Sequence, residues 1–350
     1  LFENKWAAVN NLESVAFSSW AGAALAALDF YKVKGKTVLC PSNTFMATPL
    51  ATLQAGAEVQ FVDCNRFDLC MSYNDMVTKA EKYKPAAIWV VHIGGHLAFE
   101  IDKIAAYCKE HNIVLLEDCA HSHGASWNGK NPGEWGDAGF YSFYATKTIT
   151  TGEGGMICTS DTALADRCRI MALHGISRDA WKRYTAEGSW YYEVLAPGYK
   201  YNMTDVASAM GVAQLRKANG MWERRCAIAQ RYNDAFQNMP ELQIPADRSD
   251  SQHSWHLYIL RLNLDKLNVS RAQFIEELKA RKIGTSVHFI PLHTHPYYRN
   301  TYGYQQDDFP VAESQYQRVI SLPIYSKMSD SDVEDVISAV IEVVQQWQMA

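Results

Sequence analysis

Short apolar runs alternate with amphipathic stretches through the first two-thirds of the chain. Residues 37–40 (TVLC), 58–62 (EVQFV), 87–91 (AIWVV) and 113–117 (IVLLE) are brief runs rich in β-branched and aromatic side chains, which predicts buried strands. Helix-like stretches lie between them at 46–54, 74–83 and 101–111, and another opens the chain at 1–9 (LFENKWAAV). Strands separated by helices predict a mostly parallel sheet covered on both faces. Two more strands, 139–143 (GFYSF) and 155–159 (GMICT), bracket a polar loop that carries Lys147.

The pattern then changes. Helices are predicted at 204–215 and 222–236, and Pro240 and Pro245 break the periodicity after them. Beyond the prolines come a strand at 256–262, a helix from Ser270 to Arg281, a strand at 285–289 and a closing helix at 330–347. Ser270 with Gln273 fits a capping box, and Ser329 with Asp332 is a weaker version. The fold class expected is α/β: a large domain over 1–218, with a smaller α+β domain over 219–350.

Composition narrows the class of function. The 350 residues are 48% apolar and 20% charged, and the net charge of −5 argues against a nucleic-acid partner. No apolar run approaches the roughly 20 residues that cross a bilayer. Eight cysteines are dispersed without the density of a disulfide scaffold, so a cytoplasmic setting is expected. The opening residues carry no signal-peptide pattern, and a chain beginning at Leu1 inside a helix is expected to have lost upstream residues.

Residues 114–161 hold the richest chemistry: VLLEDCAHSHGASWNGKNPGEWGDAGFYSFYATKTITTGEGGMICTSD. A buried strand runs out into Glu117 and Asp118, and ligands of parallel sheets gather at such strand ends. Twenty-nine residues after Asp118 comes Lys147, beside a flexible TTGEGG run. An amine and a fixed carboxylate are the two protein groups that pyridoxal phosphate requires, the first for a Schiff base, the second to keep the ring nitrogen protonated. On spacing alone, a surface lysine and an ordinary strand-end acid explain the pair as well. Ser18, Ser19, Trp20, Ala21 and Gly22 lead into a helix, an N-terminus suited to phosphate and equally to plain capping. Phe45 follows the first strand and is placed to stack on a flat ring or to fill a core. Ser142 is a second phosphate donor or a sheet serine.

Five segments together resemble the DegT/StrS family of pyridoxal-phosphate-dependent nucleotide-sugar aminotransferases: PSNTFMAT, EDCAHSHGA, GDAGFYSFYATKTITTGEGG, PGYKYNMTD and IGTSVHFIPLHTHPYY. The resemblance covers nearly the whole chain and implies the type I aspartate-aminotransferase fold, with a seven-stranded sheet. It implies that Lys147 is the Schiff-base lysine, Asp118 the acid facing the pyridine nitrogen, and His121 the donor to the phenolic oxygen. It implies that Phe45 stacks on the ring, that Ser142 and the backbone amides of Trp20 and Ala21 hold the phosphate, and that Asn202 reaches the phosphate in a neighbouring subunit. It thereby implies a homodimer with a shared site. His288 and His293 match positions near the sugar pocket, and Lys200 and Arg178 are further candidates for its anionic carrier. The implied substrates are glutamate and a nucleotide-linked keto-sugar, the nearest look being to the branch serving lipopolysaccharide.

Trp20-Ala21 departs from the family's Gly-Thr or Ala-Thr, so backbone amides must do more at the phosphate. The resemblance also implies a preceding segment that this chain lacks. Related sugar dehydratases carry histidine at the lysine position, whereas Lys147 is kept here. The rivals are such a dehydratase, a regulator that only binds the cofactor, a scaffold without catalysis, and a zinc site built from Cys119, His121 and His123 or from His293 and His295; the expectation is no metal. Trp190–Tyr192 reads as core, interface or substrate platform, and Trp222, Glu223, Arg224 and Arg225 as a solvated helix start.

Overall fold

The computed structural model describes residues 1–177 and 192–349. Helix α1 (Phe2–Asn10) leads into strand β1 (Glu13–Phe17), and helix α2 (Trp20–Phe30) comes next with Ser19 as its N-cap. Strands and helices then alternate: β2 (Thr37–Pro41), α3 (Ala47–Gln54), β3 (Glu58–Val62), α4 (Tyr73–Tyr83), β4 (Ala87–Val91), α5 (Ile101–His111) and β5 (Val114–Asp118). After the two-residue β6 (Ser126–Trp127) come β7 (Ala138–Ser142), β8 (Gly155–Thr159) and helix α6 (Thr162–Ala172).

Seven of these strands form one sheet in the order β1-β8-β7-β5-β4-β2-β3. The run from β7 to β3 is parallel, while β8 lies antiparallel between β7 and β1. All five residues of β4 are buried, as expected of a strand covered on both faces. This is the mostly parallel α/β sheet that the sequence predicts. Strand β1 went unpredicted because its five residues come directly after α1, and pairing with β8 rather than its own apolar content defines it.

The C-terminal part buries its own core. Helices Asp205–Leu215 and Ala218–Phe236 precede β9 (Leu242–Gln243), β10 (Ser251–Gln252), β11 (Tyr258–Leu262), helix Arg271–Ala280, β12 (Val319–Leu322) and helix Asp330–Trp347. Strands β12, β11 and β9 form a small antiparallel sheet, and β10 pairs with β6. Ile228, Tyr232, Phe236, Leu260, Phe274 and Val340 pack together there. Both expected capping boxes form, Ser270 with Gln273 and Ser329 with Asp332.

The expected strand at 285–289 is not one. A single bridge joins Ser286 to Ser321, β12 takes the sheet position beside β11, and Val287 and Phe289 pack against the large-sheet core instead. The strand expected from residue 256 begins at Tyr258, which leaves His256 in the preceding loop.

Candidate active site

The carboxyl ends of β2, β4, β5 and β7 open onto one cavity of about 460 Å³. Asp118 ends β5 and is 6% exposed. Its Oδ1 accepts the Ala120 N–H at 3.0 Å and its Oδ2 accepts the Thr48 hydroxyl at 3.1 Å, which fixes the plane of the carboxylate. Burial pushes the Asp118 pKa upward, against the pull of those bonds and of Lys147. The neighbouring Glu117 faces away into the protein, where it accepts N–H bonds from Gly133, Trp135 and Gly136 and pairs with His92.

Lys147 sits in the loop after β7, partly buried, on the same cavity wall as Asp118. Burial lowers its pKa to about 8, and the Asp118 charge opposes that shift. Roughly a tenth of the amine is therefore unprotonated at neutral pH, compared with well under a thousandth for an exposed lysine. A nucleophilic lysine needs this fraction.

His121 projects from the turn after β5. Its Nδ1 accepts the Gly94 N–H at 3.3 Å, and burial with the Lys147 charge holds its pKa well below the ordinary value. A neutral ring whose Nδ1 accepts must carry its proton on Nε2. The ring lies between Phe289, stacked at 6.0 Å, and His256, tilted at 4.3 Å. His288 completes this wall, with Nδ1 against the Ser321 hydroxyl at 2.7 Å and a pKa lowered to about 4 by burial and by Lys147.

The opposite corner is the start of α2. Ser19 Oγ takes the Gly22 N–H and Ser19 O takes the Ala23 N–H. The N–H groups of Trp20 and Ala21 have no carbonyl one turn back to bond, so they and the helix dipole favour an anion here. The Trp20 side chain turns inward, its Nε1–H bonded to the Phe140 carbonyl at 3.2 Å and its ring tilted against Trp89. Only the backbone of Trp20 is offered to the cavity. Ser142 Oγ accepts the Tyr144 N–H, which leaves its own proton to donate. Phe45 is 56% exposed at the cavity mouth, and the buried Thr44 hydroxyl beside it has no partner among the described residues.

The model of the DegT/DnrJ/EryC1/StrS aminotransferase family matches residues 1–341. The chain belongs to this family. It is 48% identical over 316 residues to an uncharacterized protein of Methanocaldococcus jannaschii, a match covering 89% of this chain and 80% of that one. It is 43% identical over 348 residues to the spore coat polysaccharide biosynthesis protein SpsC of Bacillus subtilis, covering 98% and 88%. Among solved structures, a Streptococcus pneumoniae protein assigned as a sugar aminotransferase, in its PMP form, superposes with a TM-score of 0.90 at 26% identity, covering 99% of this chain and 91% of that one.

Of the residues expected from the family pattern, the structure brings Trp20, Ala21, Phe45, Asp118, His121, Ser142, Lys147 and His288 to one cavity. Asn202 lies outside it, its Oδ1 bonded to Lys200 Nζ at 2.6 Å. His293 is also outside, buried against Phe309 on a separate cavity with Arg299 and Glu313. Arg178, Trp190 and Tyr191 lie outside the described residues. Of the stretch expected as a solvated helix start, Glu223 is exposed but Trp222 and Arg225 turn inward, and the helix begins earlier, at Ala218. Trp222 Nε1 bonds the His253 carbonyl, and Arg225, 7% exposed, bonds the carbonyls of Trp255, His256 and Ile324. Helical spacing could have exposed this, since Arg225 shares a face with Ile228, Ala229, Tyr232 and Phe236. The sequence pattern also gave no sign of His256, Thr48 and Glu153.

Cys119, His121 and His123 do not converge. The Cys119 thiol turns to the Glu117 carbonyl and His123 stacks on Trp6 at 4.7 Å. Asp68, Cys70 and His96 do gather, within a hydrogen-bonded chain that runs to His253 and Trp255. Trp255 N–H bonds His253 Nδ1 at 2.8 Å, so His253 Nε2–H donates to His96 Nδ1 and His96 Nε2–H points at Cys70 Sγ.

Proposed function

We propose that this protein is a pyridoxal-phosphate-dependent sugar aminotransferase that moves an amino group from glutamate to the ketone of a nucleotide-linked sugar. The observation that carries the reading is the meeting of Lys147, Asp118 and the first turn of α2 on one cavity. These residues fit the cofactor: a poised amine, a buried carboxylate oriented by Thr48 and Ala120, and open backbone donors for a phosphate. The family match and the PMP form of the pneumococcal neighbour support it.

When bound, pyridoxal phosphate supplies an electron sink and a carbon that ferries nitrogen between substrates. Lys147 Nζ takes the proton from the donor's α-carbon and later returns it, a task suited to an amine with a pKa near 8. The Asp118 carboxylate, oriented by Thr48 and Ala120, would hold positive charge on the cofactor's ring nitrogen. His121 Nε2–H would donate to the cofactor's phenolic oxygen, Phe45 would cover the ring, and Ser142 with the Trp20 and Ala21 amides would bind its phosphate. His288, fixed by Ser321, borders the sugar.

The reading includes a homodimer. Val206, Ala209, Met210 and Ala213 form an exposed apolar stripe on helix Asp205–Leu215, with exposed Val194 and Leu195 in the segment before it. A partner covering this stripe would bring Asn202 to the second site. All eight cysteines are unpaired, in keeping with a reducing cytoplasm. The aminated sugar is destined for a surface polysaccharide such as lipopolysaccharide; the role that names SpsC supports a polysaccharide product.

The retained Lys147 favours amino transfer over dehydration or mere cofactor binding. The test incubates the protein with glutamate and a panel of nucleotide keto-sugars and weighs the products. An amino-sugar mass that vanishes in Lys147→Ala supports the reading. Deoxygenated product, or none with any sugar, sinks it.

A further inference from the structure

His256 is placed with more care than a loop residue needs. It is 7% exposed, and its ring lines the cavity beside His121. The segment that bears it is stitched to the Gly94–Gly95 turn: Ser254 N–H bonds the Gly95 carbonyl at 2.7 Å and Leu257 N–H bonds the Gly94 carbonyl at 2.9 Å. The Ser254 hydroxyl bonds the His121 carbonyl at 2.7 Å. Arg225, which no carboxylate pairs among the described residues, spends its donors on the carbonyls of Trp255 and His256. One set of bonds therefore fixes both imidazoles relative to each other.

Neither ring nitrogen of His256 has a hydrogen-bond partner among the described residues, and Nδ1 is sealed from solvent. A buried polar atom without a partner calls for an explanation. Burial and the Lys147 charge keep the ring neutral, so it carries one proton. Orphaned buried N–H groups are rarer than orphaned acceptors, which puts the proton on Nε2, the nitrogen able to reach the cavity. His121 carries its proton on Nε2 for a separate reason, the Gly94 N–H at its Nδ1. The two ring centroids lie 4.3 Å apart with planes 35° from parallel, and both residues line the same cavity.

We propose that His256 is a second donor to the oxygen that His121 serves, the phenolic oxygen of pyridoxal phosphate. The proposal rests on the cofactor reading above and adds a cofactor-binding residue to it. Two neutral donors stabilise negative charge on that oxygen without placing a competing cation beside Lys147.

The test compares the wild type with His256→Phe, which keeps a flat ring and loses the donor, and His256→Asn, which keeps a donor. Each is loaded with pyridoxal phosphate and its visible absorbance is followed with pH. Asp118, Lys147, Glu153, Tyr144, His121 and His288 line the cavity in all three. Loss of a donor leaves the phenolic oxygen less stabilised, so the adjacent nitrogen keeps its proton to higher pH. The transition in His256→Phe should move to higher pH, to about tenfold lower proton concentration, the size of one hydrogen bond to a charged group. His256→Asn should return it toward the wild type. Nitrogen-15 spectra of the cofactor-free protein should show the His121 tautomer unchanged in both variants.

Coincident transitions overturn the proposal, as does a shift accompanied by a changed His121 tautomer, which would make His256 only a packing partner. A loss confined to sugar KM would assign the donor to substrate and overturn it too. If His256→Phe fails to fold, His256→Leu serves as the donorless variant under the same criteria. Absence of any visible band in the wild type would defeat the cofactor reading itself, whereas a normal band with coincident titrations defeats this inference alone.

Discussion

At the scale of single residues, the site depends on one carboxylate kept in a place that disfavours its charge. Burial raises the Asp118 pKa in the folded chain above its unfolded value. The stability it contributes is therefore full at low pH and is lost as pH rises from the ordinary carboxylate range through the raised value. Asp118→Asn should remove that loss. In thermal melts of the cofactor-free protein, the variant should gain on the wild type as pH rises through that window, and amino-transfer turnover should fall roughly 10²–10³-fold. Equal melting curves at every pH would show that the carboxylate carries no such strain. Lys147 and Asp118 were placed by the family resemblance, because a strand-end acid and a loop lysine alone are equally well explained as ordinary residues. Arg225 and His256 were not, because a run of polar residues at a helix start and a histidine before a strand look alike whether they turn in or out.

Between residues and molecule, the element that matters most is α2. Its N-terminus meets β8 at Gly155, where an added Cβ would collide with the Ser19 carbonyl and the Trp20 nitrogen. Gly155→Ala must displace the first turn of α2, and with it the two backbone amides assigned to the phosphate. The affinity for pyridoxal phosphate should drop about tenfold or more, read by equilibrium titration, with far-ultraviolet circular dichroism unchanged. Unaltered affinity would remove the α2 terminus from the site. The strands β2 to β5 were readable because buried parallel strands are nearly continuous apolar runs. The strand expected at 285–289 failed because its apolar residues serve the cavity wall and the large-sheet core rather than a strand ladder.

For the whole molecule, the exposed stripe on helix Asp205–Leu215 sets the expectation. Val206 is 77% exposed, which is unusual for a valine flanked by other apolar surface. Val206→Asp combined with Met210→Asp should convert a dimer to monomers in sedimentation experiments and abolish transfer, since Asn202 would lose the second site. A monomeric wild type would contradict the shared-site reading. Sequence pattern alone did not single out this surface, because the helix carries apolar residues all round and no one face stands out.

Amino transfer turns on the covalent chemistry of one amine. Loading the protein with pyridoxal phosphate, reducing with borohydride and mapping the peptides by mass spectrometry tests it most directly. The account predicts a pyridoxyl group on Lys147 as the dominant modification, absent when glutamate is supplied before reduction. Labelling spread over surface lysines such as Lys130 or Lys200, with Lys147 unmodified, would contradict it.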